Sequence, residues 1–209
     1  MKPRGILVID NPFRSWLGKR AGFLIAAYQK LGLTPNGITV SSFIIAVAAS
    51  ANCAIGFDHF AILLWWLSRL LDGTDGIYAR ASNKASPFGA YLDIVCDMAS
   101  YSLMILAFFF RFPGLNLMWG ATLVLYVLCI TSALALGSLQ AELKLPQTDN
   151  RGLRLGAGLI EGGETGIAYT LFLLFPANVT LLSCIWIVLL LSTVGFRTAL
   201  AYRILRVVS

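Results

Sequence analysis

Hydrophobic positions dominate the chain in six blocks, at about 37–56, 61–80, 88–111, 116–141, 158–175 and 179–201. Each approaches or exceeds the roughly 20 residues that an α-helix needs to cross a bilayer. Prolines 35, 87, 113, 146 and 176 fall at or between the block ends, where a missing N–H costs least. The pattern predicts an all-α, polytopic membrane protein with six transmembrane helices over 37–201 and no separate extramembrane domain, so residues 1–209 form one domain. No internal repeat is evident in the sequence.

Residues 1–33 break this pattern. Lys2, Arg4, Arg14, Lys19, Arg20 and Lys30 make the segment too basic to span, and no run of small residues after a short apolar core suggests a cleaved signal peptide. From about Ser15, Leu17, Leu24 and Leu31 repeat every seven residues beside Trp16, Phe23, Ala27 and Tyr28. This predicts an N-terminal amphipathic juxtamembrane helix lying flat on the cytoplasmic surface.

Composition agrees with the pattern. The 209 residues are 58% hydrophobic and 12% charged, about half the charged fraction of a soluble domain, and the mean hydropathy is +0.78. An ordinary soluble enzyme is excluded. The formal charge of +6 reads as topology rather than as a nucleic-acid surface, and no nucleic acid is expected as partner. Arg80 and Lys84, then Lys144, Arg151 and Arg154, then Arg203 and Arg206 fall on one side of the alternating spans, whereas the opposite connections are poor in basic residues apart from Arg111. The expected location is a bacterial inner (cytoplasmic) membrane with both termini and the active site cytoplasmic. Cys53, Cys96, Cys129 and Cys184 are scattered singly and read as small buried side chains.

Against this background four acidic residues stand out. Asp72, Asp75, Asp93 and Asp97 lie within or at the cytoplasmic ends of the second and third spans, where an ionised side chain costs about 2.5 kcal/mol or more at mid-membrane. At about 100° per residue, Asp72 and Asp75 share a face with Gly76 and Ala79, and Asp93 and Asp97 stack one turn apart above Gly89. A short connection, 81–87, brings the two faces together. Arg69 and Arg80 are too few to neutralise four carboxylates, so a divalent cation is expected; donors that are all oxygen favour Mg²⁺ or Mn²⁺. Two such ions about 3.5–4 Å apart would suit a phosphoryl displacement. Two other readings remain open on position alone: helix-end aspartates with no ligand, and an ion or proton transporter, although transporters usually show repeated halves or broken helices.

The spacing Asp72-x2-Asp75-Gly76-x2-Ala79-Arg80-x8-Gly89-x3-Asp93-x3-Asp97 resembles the signature of the CDP-alcohol phosphotransferase (CDP-alcohol phosphatidyltransferase) family of integral membrane phospholipid-synthesis enzymes, with all eight fixed positions present. The resemblance implies a six-helix fold, usually a homodimer, with a polar cavity open to the cytoplasm. It implies attack of an alcohol hydroxyl on a CDP-linked phosphorus with CMP leaving. Asp72, Asp75 and Asp93 would be metal ligands; Asp97 would touch the metal and act as the catalytic base; Gly76, Ala79 and Arg80 would bind the CDP group. Thr34-Pro35-Asn36-x2-Thr39 is similar to a weaker family element near the cytidine, which makes Asn36 and Thr39 nucleotide-binding candidates, with helix capping as the alternative.

The acceptor alcohol is the least defined part. Arg151, Arg154 and Arg197 are candidates for binding an acceptor phosphate, or contact lipid headgroups. Glu161 and Glu164 are candidates for polyol hydroxyls or an amine, or simply suit the dipole of the fifth span. The expected activity is metal-dependent transfer of a phosphatidyl group from CDP-diacylglycerol to a small alcohol such as glycerol 3-phosphate, serine or an inositol phosphate. The alternative within the family transfers a phosphobase from CDP-choline or CDP-ethanolamine to diacylglycerol.

Overall fold

The computed structural model describes residues 22–144 and 162–206, and every regular element among them is helical. A short helix α1 (Gly22–Lys30) precedes α2 (Pro35–Ala54), α3 (Asp58–Ala81), α4 (Pro87–Arg111), α5 (Asn116–Glu142), α6 (Gly162–Leu174) and α7 (Val179–Leu205). Single 3₁₀ turns at Pro113–Leu115 and Pro176–Asn178 lead into α5 and α7.

The helix starts follow from local chemistry. Thr34 caps α2 by accepting from the Gly37 N–H at 3.1 Å, and Ser86 caps α4 by accepting from the Gly89 N–H at 3.0 Å. In each case proline occupies the following position, where its fixed φ suits a first turn. The sharp connection between α3 and α4 turns on Asn83, whose φ of 53° lies in the left-handed region that asparagine tolerates. That turn reverses the chain, so that α4 runs antiparallel to α3 and both acidic faces lie at one end of the molecule.

Four stretches, Pro35–Ala54, Pro87–Arg111, Pro113–Glu142 and Pro176–Leu205, are long and apolar enough to cross a membrane. With the apolar outer surface formed by exposed Ile44, Leu63, Val124, Leu181 and Val188, they make this an integral membrane protein. The other two expected spans differ for definite reasons. Helix α3 is 24 residues long but carries Arg69, Asp72, Asp75 and Arg80 from its middle onward, and α6 is described over 13 residues only.

Helix α2 packs along both α3 and α4, α5 along α7, and α6 joins the two groups by lying against α3 and α7. The packing face of α2 is a stripe of small residues, Ser42, Ala46, Ala49 and Cys53, which lets backbones approach closely. The Ser42 hydroxyl donates to the Ser68 carbonyl of α3 at 2.9 Å. The shared core is aromatic: Phe108 packs against Trp119, Tyr169 and Phe172 with ring centroids 5.1 to 5.7 Å apart. Helix α1 is tied to α3 rather than lying apart from it. Its Tyr28 is buried edge-on against Tyr78, and its hydroxyl shares a 2.9 Å hydrogen bond with Thr74, while Phe23 and Leu31 stay exposed. The part of the predicted amphipathic helix before Gly22 lies outside the described residues.

Candidate active site

The carboxylates converge because α3 and α4 are antiparallel and joined by a five-residue turn, 82–86. Asp72, Asp75 and Asp93 each offer an oxygen lying within 4.8 Å of the others, a group able to hold a metal ion. The donor set is all oxygen, and like charges this close need a cation between them, so the residues fit a hard divalent ion.

Asp75 is the most enclosed of the three and its orientation is fixed from α2. The Thr39 hydroxyl donates to Asp75 Oδ2 at 2.5 Å, and the Gly76 N–H donates to Oδ1 at 2.5 Å. Asp97 stands outside the three-carboxylate group. Its Oδ1 accepts from Arg69 Nη1 at 2.5 Å, and the same nitrogen lies 3.5 Å from Asp72 Oδ2. The Arg69 guanidinium therefore bridges Asp97 to Asp72, one of the three.

A cavity of about 730 Å³ opens beside the group, lined by Asp75 and Asp93 and by the nucleotide candidates Asn36, Thr39, Gly76, Ala79 and Arg80. Its size suits a small organic ligand. Two close approaches shape it. The Arg80 side chain folds back so that a Cβ on Gly76 would touch Nη1 at 3.5 Å, and a Cβ on Gly89 would stand 3.0 Å from Asn36 Oδ1 and 3.2 Å from Ser86 Oγ. Lys84 and Tyr91 also line this cavity, and the sequence reading gave neither a role in the site; only their nearness to the motif pointed to them. Of the Thr34–Thr39 element, Thr34 is the cap, and Asn36 and Thr39 face the cavity.

Two of the acceptor candidates, Glu164 and Arg197, lie among the described residues. Glu164 sits in the first turn of α6. Arg197 is buried, donating from Nη1 to the Cys129 carbonyl and, at 3.2 Å, to the Ser132 hydroxyl, and it does not line the cavity. Glu161, Arg151 and Arg154 lie outside the described residues. Arg69 and Tyr101 are the site residues that the sequence left without a role, although Arg69 is three residues before Asp72 and so on its face of α3.

A bundle of membrane helices around a carboxylate cluster with a cavity beside it is an integral membrane protein with a candidate cation site next to a ligand-sized pocket. A family model for CDP-alcohol phosphatidyltransferase matches residues 32–207, and the chain belongs to that family. It is 36% identical over 160 residues to inner membrane protein YnjF of Escherichia coli (strain K12), covering 73% of this chain and 75% of that protein. It is 30% identical over 166 residues to archaetidylinositol phosphate synthase of Aeropyrum pernix, covering 77% of each. The fold is shared with solved structures of Mycobacterium tuberculosis phosphatidylinositol phosphate synthase (PgsA1). The form with CDP-DAG bound gives a TM-score of 0.63 at 20% identity over 86% of this chain and 92% of that one. The form in complex with manganese and citrate gives 0.61 at 20% identity over 86% and 87%.

Proposed function

We propose that the protein transfers a phosphatidyl group from CDP-diacylglycerol to a small phosphorylated alcohol, with CMP leaving. The observation that carries this reading is the juxtaposition of the Asp72–Asp75–Asp93 oxygens with the cavity lined by Asn36, Thr39, Gly76, Ala79 and Arg80. An inositol phosphate heads the acceptor candidates, since several curated relatives are named archaetidylinositol phosphate synthase.

In this reading Asp72, Asp75 and Asp93 hold Mg²⁺ or Mn²⁺, two ions at full occupancy, which would neutralise the pyrophosphate and stabilise charge on departing CMP. The exposed Arg80 guanidinium adds a fixed positive charge at the cavity wall, suited to bidentate contact with phosphate oxygens. Asp97, with a side chain 22% exposed, takes the proton of the acceptor hydroxyl as its oxygen forms a bond to the phosphorus that carries diacylglycerol. The phosphorus–oxygen bond to CMP then breaks, so one O–P bond forms, one breaks, and the proton rests on Asp97.

The same reading gives six crossings, α2 to α7, within one domain, with both termini and the α3–α4 turn at the cytoplasmic face of a bacterial inner membrane. What supports it is the gathering of Arg80, Lys84, Lys144, Arg203 and Arg206 at helix ends that the alternation puts on one side. A homodimer is expected by family likeness. The test is CMP release from CDP-diacylglycerol by purified protein with Mg²⁺ or Mn²⁺ and a panel of alcohols: inositol phosphate, glycerol 3-phosphate, serine and inositol. Release with inositol phosphate and formation of the matching lipid is the expected result. No release with any alcohol would overturn the reading, and release with serine or glycerol 3-phosphate alone would overturn the acceptor.

A further inference from the structure

Among the described residues, two cations that line the cavity form no ion pair. Arg111 grips Asp58, and Arg69 is engaged by Asp72, Asp97 and the Tyr101 hydroxyl. Arg80 and Lys84 belong to none of these pairs, and both line the same cavity. Arg80 is a fixed position of the aspartate spacing, whereas Lys84 falls among the eight unspecified positions between Arg80 and Gly89.

The backbone delivers Lys84 to the cavity wall. At the end of α3 the Ser82 N–H donates to the Tyr78 carbonyl at 2.9 Å, that of Asn83 to Arg80 at 3.2 Å and that of Lys84 to Ala79 at 2.8 Å, with Asn83 left-handed at a φ of 53°. These bonds satisfy the carbonyls of the last turn from the backbone alone, so closing α3 asks nothing of the exposed Lys84 side chain. The same reversal folds Lys84 back beside Ala79, which lines the cavity and stands four residues, about 6 Å of helix rise, from Asp75. A lysine stem of four carbons spans a comparable length. An ammonium at position 84 can therefore reach an anion held at the carboxylate end of the cavity.

The charged lining consists of two acids, Asp75 and Asp93, and two bases, Arg80 and Lys84. A divalent ion satisfies the acids, which leaves both bases for an anionic ligand, and a diphosphate carries charge enough for two. We propose that Lys84 is a substrate-binding residue whose ammonium contacts the diphosphate of CDP-diacylglycerol beside Arg80. The inference rests on the proposed reaction. Arg80 is a planar fork that fixes direction; Lys84 is a point charge on a mobile stem, so it acts on substrate affinity more than on the chemical step.

The experiment compares wild type with Lys84→Met, Lys84→Arg and Lys84→Glu in detergent with Mn²⁺. It reads KM and kcat for CDP-diacylglycerol by CMP release and, without turnover, the affinity for soluble CDP by isothermal titration calorimetry. Lys84→Met should raise KM and weaken CDP by about 5- to 10-fold each, with a far smaller change in kcat. Lys84→Arg should stay close to wild type, and Lys84→Glu should exceed Lys84→Met. Because the side chain is exposed, the difference between wild type and Lys84→Met should shrink in about 1 M salt, where the screening length is about 3 Å. A lysine that only suits the C-terminal dipole of α3 would change the melting temperature and leave KM and CDP affinity at wild-type values, which overturns the proposal. So does a KM change that appears in vesicles rich in anionic lipid and vanishes in detergent, since that assigns Lys84 to lipid headgroups. A wild type that binds CDP with the expected dependence on Lys84 but releases no CMP with any alcohol removes the transfer reading and leaves the diphosphate contact standing. A wild type that neither binds CDP nor releases CMP removes both.

Discussion

Thr39 on α2 donates its hydroxyl hydrogen to Asp75 Oδ2 on α3 at 2.5 Å, across 36 residues of sequence. The contact sits where the cavity meets the carboxylate group, so Thr39 orients one of the three clustered carboxylates as well as lining the cavity. Thr39→Val keeps the shape and removes the donor, leaving a buried carboxylate one partner short. Partners of this kind govern metal affinity, and the Mn²⁺ concentration for half-maximal CMP release should rise about tenfold. Thr39→Ser, which restores the donor, should return it close to wild type. Equal Mn²⁺ requirements in Thr39→Val and wild type would show that the contact has no part in orienting Asp75.

In the proposed reading, the three carboxylates within 4.8 Å of one another make turnover dependent on a divalent cation. Chelation with EDTA should silence CMP release, and Mg²⁺ or Mn²⁺ should restore it. Asp93→Asn leaves the helix and the cavity shape intact but removes one negative oxygen, so activity should fall sharply and respond only to higher metal concentrations. Full activity in EDTA would remove the metal from the mechanism.

A methyl group on Gly89 would fit tightly, since a Cβ there meets Asn36 Oδ1 at 3.0 Å and Ser86 Oγ at 3.2 Å. Gly89→Ala must displace either the cavity-lining amide or the cap of α4. The expected outcome is a several-fold rise in KM for CDP-diacylglycerol with a smaller effect on kcat, because Asp93 and Asp97 lie at least a turn farther along the helix. Steady-state kinetics of the purified variant read this directly, and an unchanged KM would show that Asn36 shifts at no cost to substrate binding.

The helices were legible because local chemistry decides them. Thr34-Pro35 and Ser86-Pro87 mark two helix starts without reference to anything distant, and the predicted spans at 37–56 and 88–111 correspond to Pro35–Ala54 and Pro87–Arg111. The aspartate cluster was legible because carboxylates in an apolar chain demand a common explanation. The arginine that links the two helices' carboxylates was not. Arg69 on α3 pairs with Asp97 on α4, 28 residues away, as well as with Asp72, and spacing along one helix shows only the pairing of Arg69 with Asp72. The amphipathic stripe near the N-terminus illustrates the converse: Leu31 and Phe23 follow the period but remain exposed, and the residue that docks α1 is Tyr28, through a hydroxyl bond to Thr74. Periodicity gives a face; the partner on that face comes from tertiary structure.

Far from the carboxylate group, Arg111 at the end of α4 grips Asp58 at the start of α3 through two parallel bonds, Nε to Oδ1 at 3.0 Å and Nη2 to Oδ2 at 2.7 Å. Each charge also opposes the dipole at its own helix end, Asp58 at an N-terminus and Arg111 at a C-terminus. The pair pins the two helices at the end opposite the short turn, so the α3–α4 hairpin that carries all four aspartates is fastened at both ends. With side chains 29% and 15% exposed, solvent screens the pair only in part, and a charge-assisted bidentate contact of this kind contributes about 1 to 3 kcal/mol. Arg111→Met should lower the apparent melting temperature in detergent by several degrees while leaving the Mn²⁺ requirement unchanged. Arg111→Lys should recover only part of the loss, because an ammonium cannot make both bonds at once. Asp58→Asn combined with Arg111→Met should cost less than the sum of the two single changes, since each alone leaves the other charge without its partner. Additive losses in that cycle would mean that the two residues stabilise the protein independently and that the hairpin is fastened by its turn alone.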